Sequence, residues 1–386
     1  MNRVSSIATV LSVAAIVAAP YELFASSAHF QGLGDIPGGM TSSTANSVSA
    51  DGLVVVGGGA PVGADQQAIR WSKADGLSGI GYLPGGLPYS LATAVTADGQ
   101  TIVGIAQDND GYRAFRRGSD GVMVGLGDLP GGSSHSYGYA TSADGAYVTG
   151  CAGSENGIQA YRWDEANGMI GLGSLPGGSG SSIGYGMNDT GTTIVGKSDS
   201  AAGAEAFIWM ENFGLFNLGD LPGGGTDSEA RAISPTGGVI VGQGLSDAGY
   251  EATAWHFPVA GEVSLGDLPG GDVNGIAYGV SDFGEFIVGS SESSMGQEAF
   301  IWDYDNGMRS LRTVLIQEYG LGVALDGWHL SAAFDITPDG RTIVGDGVNP
   351  NGFTEAWIVT IPEPNMMALL LVAGAMLMRR RRTSAL

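Results

Sequence analysis

Residues 191–198 read GTTIVGKS, which matches the phosphate-loop pattern G-x-x-x-x-G-K-[ST] with Gly191, Gly196, Lys197 and Ser198 at the required spacing. In such a loop, backbone N–H groups and the lysine cradle nucleotide phosphates. That chemistry needs an open loop at the four variable positions and a helix starting at the lysine. Here those positions are the β-branched run Thr-Thr-Ile-Val, and the residues after Ser198 read as a turn and another strand. Carboxylates form a second recurring set. Asp35, Asp128, Asp220 and Asp267 each precede a proline turn, with Tyr82 and Ser174 in sister positions. Spaced around one rim they would suit a weak calcium or cation-dependent glycan site. The simpler expectation is that each Asp caps its own turn. Asp108-Asn109-Asp110-Gly111 resembles half a calcium loop but lacks the bidentate Glu, and reads as a hairpin tip. His29, His135, His256 and His329 show no ligand spacing, and Cys151 is the only cysteine. An intrachain disulfide and a cysteine-based zinc centre are therefore excluded, and Cys151 reads as a small apolar filler. G-x-S-x-G, H-E-x-x-H and C-x-x-C do not occur, so no catalytic residue, cofactor or metal is assigned.

The elements around these residues repeat. [IL]-P-G-G recurs at Pro37, Pro84, Pro130, Pro176, Pro222 and Pro269, every 46 or 47 residues. A second signature appears seven times: SADGLVVVG, TADGQTIVG, SADGAYVTG, NDTGTTIVG, SPTGGVIVG, SDFGEFIVG and TPDGRTIVG. A third, of the type AFIW, starts at Ala68, Ala114, Ala160, Ala206, Ala254, Ala299 and Ala356. GTTIVGKS is the fourth copy of the second signature. Gly191 is then a hairpin-turn glycine, Lys197 is expected on an exposed hairpin, and no nucleotide is expected to bind.

Each unit contains four strand-like pieces. Asp-Gly at 51–52, 98–99, 144–145 and 339–340 signals two-residue hairpins, and Leu-Pro-Gly-Gly fits a turn with glycine at the third position. Four short strands per 46-residue period describe a β-propeller blade, and seven units give seven blades of one all-β domain. Small residues alternate before each turn, as at Ala92 and Ala94 or Gly184 and Gly186, as expected for innermost strands facing a narrow channel. Bulky residues two apart in the third piece, such as Tyr161 and Trp163, Phe207 and Trp209, and Trp255 and Phe257, are expected to fill the core between blades. The piece His29–Leu33 is a lone fourth strand, and the last unit lacks its own. The N-terminal strand is expected to complete that blade and close the ring. An insertion at 311–330 carries the one good helix pattern, about Thr313 to Tyr319, and the irregular set Glu318, Tyr319, Asp326, Trp328 and His329.

Both ends read as addresses. Arg3, an apolar run from Ile7 to Ala19 and small residues at 25–28 make 1–28 a signal peptide. At the other end stand Pro362-Glu363-Pro364, the apolar segment Met366 to Met378, and Arg379, Arg380, Arg381 and Arg382. Thirteen apolar residues as a helix span about 20 Å, short of a roughly 30 Å hydrocarbon core, which suits a temporary anchor with its arginines inside. This order of elements, 362–386, resembles the PEP-CTERM sorting signal. The resemblance implies recognition and cleavage by an exosortase-type membrane protease, and release to the surface of an enveloped bacterium. The repeats at 29–361 resemble HAF-type extracellular repeats, although Arg113, Gln159, Glu205, Glu298 and Glu355 stand where the namesake histidine would be.

A formal net charge of −23 argues against nucleic acid as a partner. Gly at 67 of 386 residues suits many strands joined by glycine turns rather than disorder. The sequence therefore describes an exported, cell-surface or matrix-associated binding or scaffold propeller, with envelope polysaccharide as a partner class. The alternative is a secreted propeller glycoside hydrolase or lyase.

Overall fold

The computed structural model describes residues 28–63, 65–258 and 261–362. Residues 1–27 of the expected leader 1–28, Glu363, Pro364, the segment 366–378 and Arg379 to Arg382 lie outside the described residues; Pro362 lies at their edge. The regular elements of the described residues are all β-strands but for one α-helix, Leu311–Gln317. Among them no helix is long and apolar enough to cross a membrane.

Each repeat folds as a four-stranded antiparallel meander. The first repeat shows the pattern: Ser43–Val48 pairs with Val54–Gly59, that with Gln67–Ser72, and that with Gly76–Gly79. Five such sheets are separate, and one eight-stranded sheet joins two repeats through a single parallel bridge, Tyr250 to Asn274. The same kind of bridge recurs in isolation at Gln66 to Tyr89 and Ala204 to Asp227. The N-terminal strand His29–Gly32 pairs antiparallel with Thr354–Thr360, giving the sheet of the last repeat its fourth strand.

The turns differ from the two-residue form expected. Only the glycine of each Asp-Gly pair takes positive φ, for instance 71° at Gly52 and 70° at Gly99. The Asp instead ties a longer loop with its side chain. Asp51 accepts from the Ser49 hydroxyl and from Leu53 N–H, and Ser49 Oγ accepts from Val54 N–H. The hydroxyl and carboxylate close the loop, so positive φ at the Asp is unnecessary.

Small residues before the turns are not all there is on the channel side. In every repeat the first strand carries a bulge: between Ala92 and Ala94, Gly138 and Ala140, or Gly184 and Gly186 the register slips by one residue. The bulge carries a carbonyl against the second strand, onto the glycine that ends each "IVG" word. A Cβ at Gly150 would collide with the Tyr137 carbonyl, and one at Gly196 with the Ile183 carbonyl and the Phe207 ring. Close approach of backbone is the reason glycine stands there.

The third strand supplies the core. Phe115, Tyr161, Phe207, Phe300 and Trp357 are fully buried, while their partners two residues on, Trp163, Trp209 and Trp302, are half-buried. In the fifth repeat the register corrects the sequence reading. Trp255 faces Ile240 as Trp209 faces Ile194, so the signature starts at Ala252, not Ala254, and Thr253 occupies the place of the buried ring. In EATAWHF the word A-x-x-[WF] fits two registers, and only strand pairing separates them.

A buried serine stitches neighbouring repeats. Ser136 Oγ accepts from Ala114 N–H at 3.1 Å and donates to the Gly127 carbonyl at 2.7 Å. Ser90, Ser182 and Ser228 make the same pair of bonds to the repeat before them. Ser43 does so across the chain ends, accepting from Ala356 N–H and donating to the Gly34 carbonyl. The insertion is packing material. Ser310 caps the helix by accepting from Thr313 N–H, and Leu311, Val314 and Leu315 bury against Leu325, Leu330 and Trp357. The helix begins two residues earlier than the sequence pattern indicates, because this cap sets its start.

Replacing Gly196 by alanine is expected to destabilise the fold by about 3 kcal/mol or more, since neither the carbonyl nor the ring beside it can retreat. Chemical denaturation of the variant checks this; an unchanged midpoint would remove the steric account of the "IVG" glycine.

Candidate functional site in the central channel

The chemistry-bearing residues singled out in the sequence have structural explanations. Within GTTIVGKS, Gly191 makes the turn and Gly196 admits the carbonyl of Ile183. Ser198 Oγ is buried and accepts from Leu175 N–H at 2.9 Å. Lys197 is not on an exposed hairpin. It lies within the strand Thr193–Asp199, half-buried, paired with Asp227 at 2.8 Å and 4.0 Å from Glu229. No helix follows. The aspartates before the proline turns do not act as turn caps. Asp128 holds Arg113 at 2.9 Å, Asp267 accepts from Ser291, and Asp35 and Asp220 face Ser43 and Ser228. Burial raises the carboxyls of Asp35 and Asp220 above their usual range, and nearby Glu355 and Glu205 add to this. Asp108 caps its hairpin tip, accepting from Asp110 and Gly111 N–H and pairing with Arg113. Among the described residues no group of three potential ligands could hold a metal ion.

The irregular residues of the insertion do not converge. Glu318 pairs with Arg309, His329 Nε2 lies 2.8 Å from the Gln297 carbonyl, and Trp328 packs edge-on against Phe30. Cys151 is buried, as the filler reading expects, and burial pushes its thiol up to about 12.

What sequence reading missed is the bulge residue itself. Between the paired small residues stand Asn46, Thr93, Tyr139, Tyr185, Arg231, Tyr278 and Phe334, one from each repeat, and all seven line a single cavity of about 420 Å³. On the aromatic arc several members touch. Tyr139 and Tyr185 have ring centroids 5.6 Å apart, the Arg231 guanidinium lies 4.2 Å over Tyr185, and Tyr278 meets Phe334 at 5.2 Å. On the polar arc, Asn46 donates to the Ala92 carbonyl and Thr93 to the Gly138 carbonyl. Burial raises the phenols of Tyr139, Tyr185 and Tyr278 above the ordinary range, so all three remain neutral donors. Arg231 is paired with Glu229 at 2.6 Å.

The cavity mouth is a run of backbone bonds between repeats. Ala50 N–H donates to the Ala97 carbonyl, Ala97 to Ala143, Ala143 to Asp189, Asp189 to Pro235, and Asp282 to Pro338. Proline lacks the donor. At Pro235 the next residue substitutes, Thr236 N–H reaching Asp282 Oδ1. Where Pro338 meets the first repeat, Asp335 Oδ2 accepts from Val48 N–H at 2.9 Å, and its Oδ1 from Ile336 N–H. Asp335 keeps part of its surface open to the cavity although protein surrounds it deeply. Burial raises its carboxyl to about 6. Asp346, in the strand Thr342–Val348, is raised to about 6 by burial alone.

These carboxyls set a pH dependence. Each binds its proton more tightly folded, at about 6, than at the ordinary 3.8, so the native state is favoured below pH 6 and loses that advantage as pH rises through 6. Asp98, Asp144 and Asp164 are lowered by hydrogen bonds and withdraw stability only in more acid solution. Stability is expected to rise by about 1–3 kcal/mol between pH 7.5 and 4.5. Asp346→Asn is expected to flatten part of that rise and to stabilise the protein at pH 7.5, as read by thermal melts. A melting temperature that falls steadily from pH 7.5 to 4.5 contradicts this.

No family model matches the chain, and no curated protein does. Among solved structures, oligogalacturonate lyase from Vibrio parahaemolyticus is similar with a TM-score of 0.52 and 9% identity, over 87% of this chain and 98% of that one. TolB from Acinetobacter baumannii has a TM-score of 0.45 and 13% identity, over 71% of this chain; the match spans 64% of that protein's length. The Dos1 propeller has a TM-score of 0.44 and 8% identity, over 86% and 94%. At 9% identity the likeness to the lyase is one of fold alone, and the fold of this chain is a set of many four-stranded antiparallel sheets.

Proposed function

We propose that this chain is an exported binding and scaffold propeller of seven blades, closed by its N-terminal strand and working at the cell surface or in the surrounding matrix. The observation that carries the reading is the ring of bulge residues. The repeats share nearly all their packing, yet at this one channel position they hold Asn, Thr, Tyr, Tyr, Arg, Tyr and Phe. A cavity walled by aromatic faces with a few neutral donors is built to hold a polar, ring-containing ligand. Envelope polysaccharide is the ligand class we assign. The pairing of His29–Gly32 with Thr354–Thr360 and the Ser43 bonds across the chain ends support a closed ring.

Export rests on the leader, and sorting on Pro362, Glu363, Pro364 and the terminal arginines, with an exosortase-type protease as the processing partner. The alternative, a glycoside hydrolase or lyase, requires an acid and a base converging on a bound sugar. Asp189 and Asp335 are the carboxylates in the chamber wall; Asp335 is engaged by two backbone N–H groups, and burial together with nearby Asp282 raises the Asp189 carboxyl.

Two measurements test the proposal. Mass spectrometry of protein recovered from the cell surface is expected to find a chain ending near Pro362, without Arg379 to Arg382. A surface protein retaining those arginines is permanently anchored, and the sorting reading falls. Binding to isolated envelope polysaccharide is expected to weaken about tenfold in Tyr278→Ala, for loss of one stacking face. Turnover of the polysaccharide by the native protein would instead establish the enzyme.

A further inference from the structure

A row of tyrosine rings leads from the surface into the channel on the side opposite the Asp-Gly loops. Tyr89, just before the first strand of the second repeat, meets Tyr112 edge-on with centroids 5.3 Å apart. Tyr112 stacks on Tyr137 at 5.6 Å and 29°. Tyr137 stacks on Tyr139 at 6.4 Å and 7°, and Tyr139 meets Tyr185 at 5.6 Å. The Arg231 guanidinium covers the far face of the row at Tyr185, 4.2 Å from its centroid. All five rings are half-buried, so each presents some surface to solvent along the path. Exposed His135 stands beside Tyr112 at 6.4 Å.

The fold does not require the outer rings. Where Tyr89 stands, other repeats carry Ser42, His135, Ser181, Asp227 and Asn274; where Tyr112 stands, they carry Gln66, Ile158, Ala204, Tyr250 and Gln297. Those repeats build the same strands in the same register. Only in the second to fourth repeats do rings occupy the successive positions that join the surface to the channel. A continuous row of aromatic rings is therefore an addition to the scaffold.

We propose that Tyr89, Tyr112 and Tyr137, continuing through Tyr139 to Tyr185, are a binding strip for a linear neutral polysaccharide. The step between rings is comparable to the length of one pyranose residue. Sugar C–H groups carry the partial positive charge that a ring face attracts, and the phenol hydroxyls supply donors at the ring edges. Neutrality follows from the charges. The whole chain carries −23, which repels a polyanion. The cations beside the strip are already matched, Arg113 by Asp108 and Asp128, and Arg231 by Glu229. The inference rests on the binding-propeller reading and names the ligand class and its entry path.

Titration calorimetry of the purified protein with maltohexaose and with cellohexaose tests it, with oligogalacturonate as the anionic comparison. One neutral hexasaccharide is expected to bind and oligogalacturonate to bind more weakly. Tyr89→Ala and Tyr112→Ala are each expected to weaken binding about tenfold. Tyr112→Phe keeps the ring and is expected to stay within about twofold of native, which separates lost stacking from misfolding. Phe216→Ala, an exposed ring on the outer strand Gly214–Asn217, is expected to change nothing. Failure of both neutral probes, stronger binding of the polyanion, or full affinity in Tyr112→Ala overturns the strip. Native protein that still binds isolated envelope polysaccharide in any of those cases leaves the binding-propeller reading standing; if it binds none, both fall.

Discussion

The contact on which the rest depends is a backbone carbonyl pressed against a glycine. In each repeat a bulge in the innermost strand turns a carbonyl, such as that of Tyr137 or Ile183, onto the second strand at Gly150 or Gly196. No side chain fits beneath it. The bulge also adds one residue that pairs with nothing and is expelled into the channel. A packing necessity thus creates, in every repeat, one position free of packing duty. The small residues on either side, Gly138 and Ala140 for example, let the strand bend there. The chamber lining is therefore a by-product of how the strand is bent, and its composition can vary without cost to the sheets.

The repeats hold one another by few, specific polar contacts. A buried serine hydroxyl accepts from one repeat's third strand and donates to the loop after its fourth. In the sixth repeat Gly275 replaces that serine, and Ser291 of the neighbouring strand accepts from Leu268 N–H. Ser198 does likewise for Leu175 in the fourth repeat. At the channel mouth the run of backbone bonds breaks wherever proline removes a donor, and a side chain takes over. Asp335 does this between the last repeat and the first, with its carboxylate enclosed by protein. Unmade hydrogen bonds in such places cost about 1–3 kcal/mol each, so a different hydrogen bond made across the same junction preserves the arrangement.

Differences between repeats mark where the molecule departs from bare architecture. Identical positions carry turns, bulges and buried rings; divergent ones carry the channel ring and the tyrosine row. The insertion looked irregular in sequence and proved to be packing. Its helix covers Leu325 and Leu330 beside Trp357, and its polar residues point to separate partners. Irregularity along the chain and chemistry in space are different properties.

The sequence by itself determined the period, the four strands of each repeat, the turn glycines, the burial of Phe207 and its sister rings, and the exclusion of a phosphate loop at GTTIVGKS. These are local properties: alternation, β-branching and turn chemistry leave their mark within a few residues. Tertiary structure decided the rest. A bulge adds a residue without disturbing the alternation of small side chains, so the outward turn of Tyr139 or Arg231 was hidden between Gly138 and Ala140 or Ala230 and Ala232. The recurring "IVG" glycine was the visible trace of it. The partners of Lys197, Asp128 and Asp335 lie 30, 15 and 287 residues away along the chain. The fifth repeat's register depended on which residue faced Ile240. Whether a charged or aromatic side chain is a turn cap, a surface group or a wall of the channel is set by what the folded chain brings beside it, and short-range patterns do not contain that.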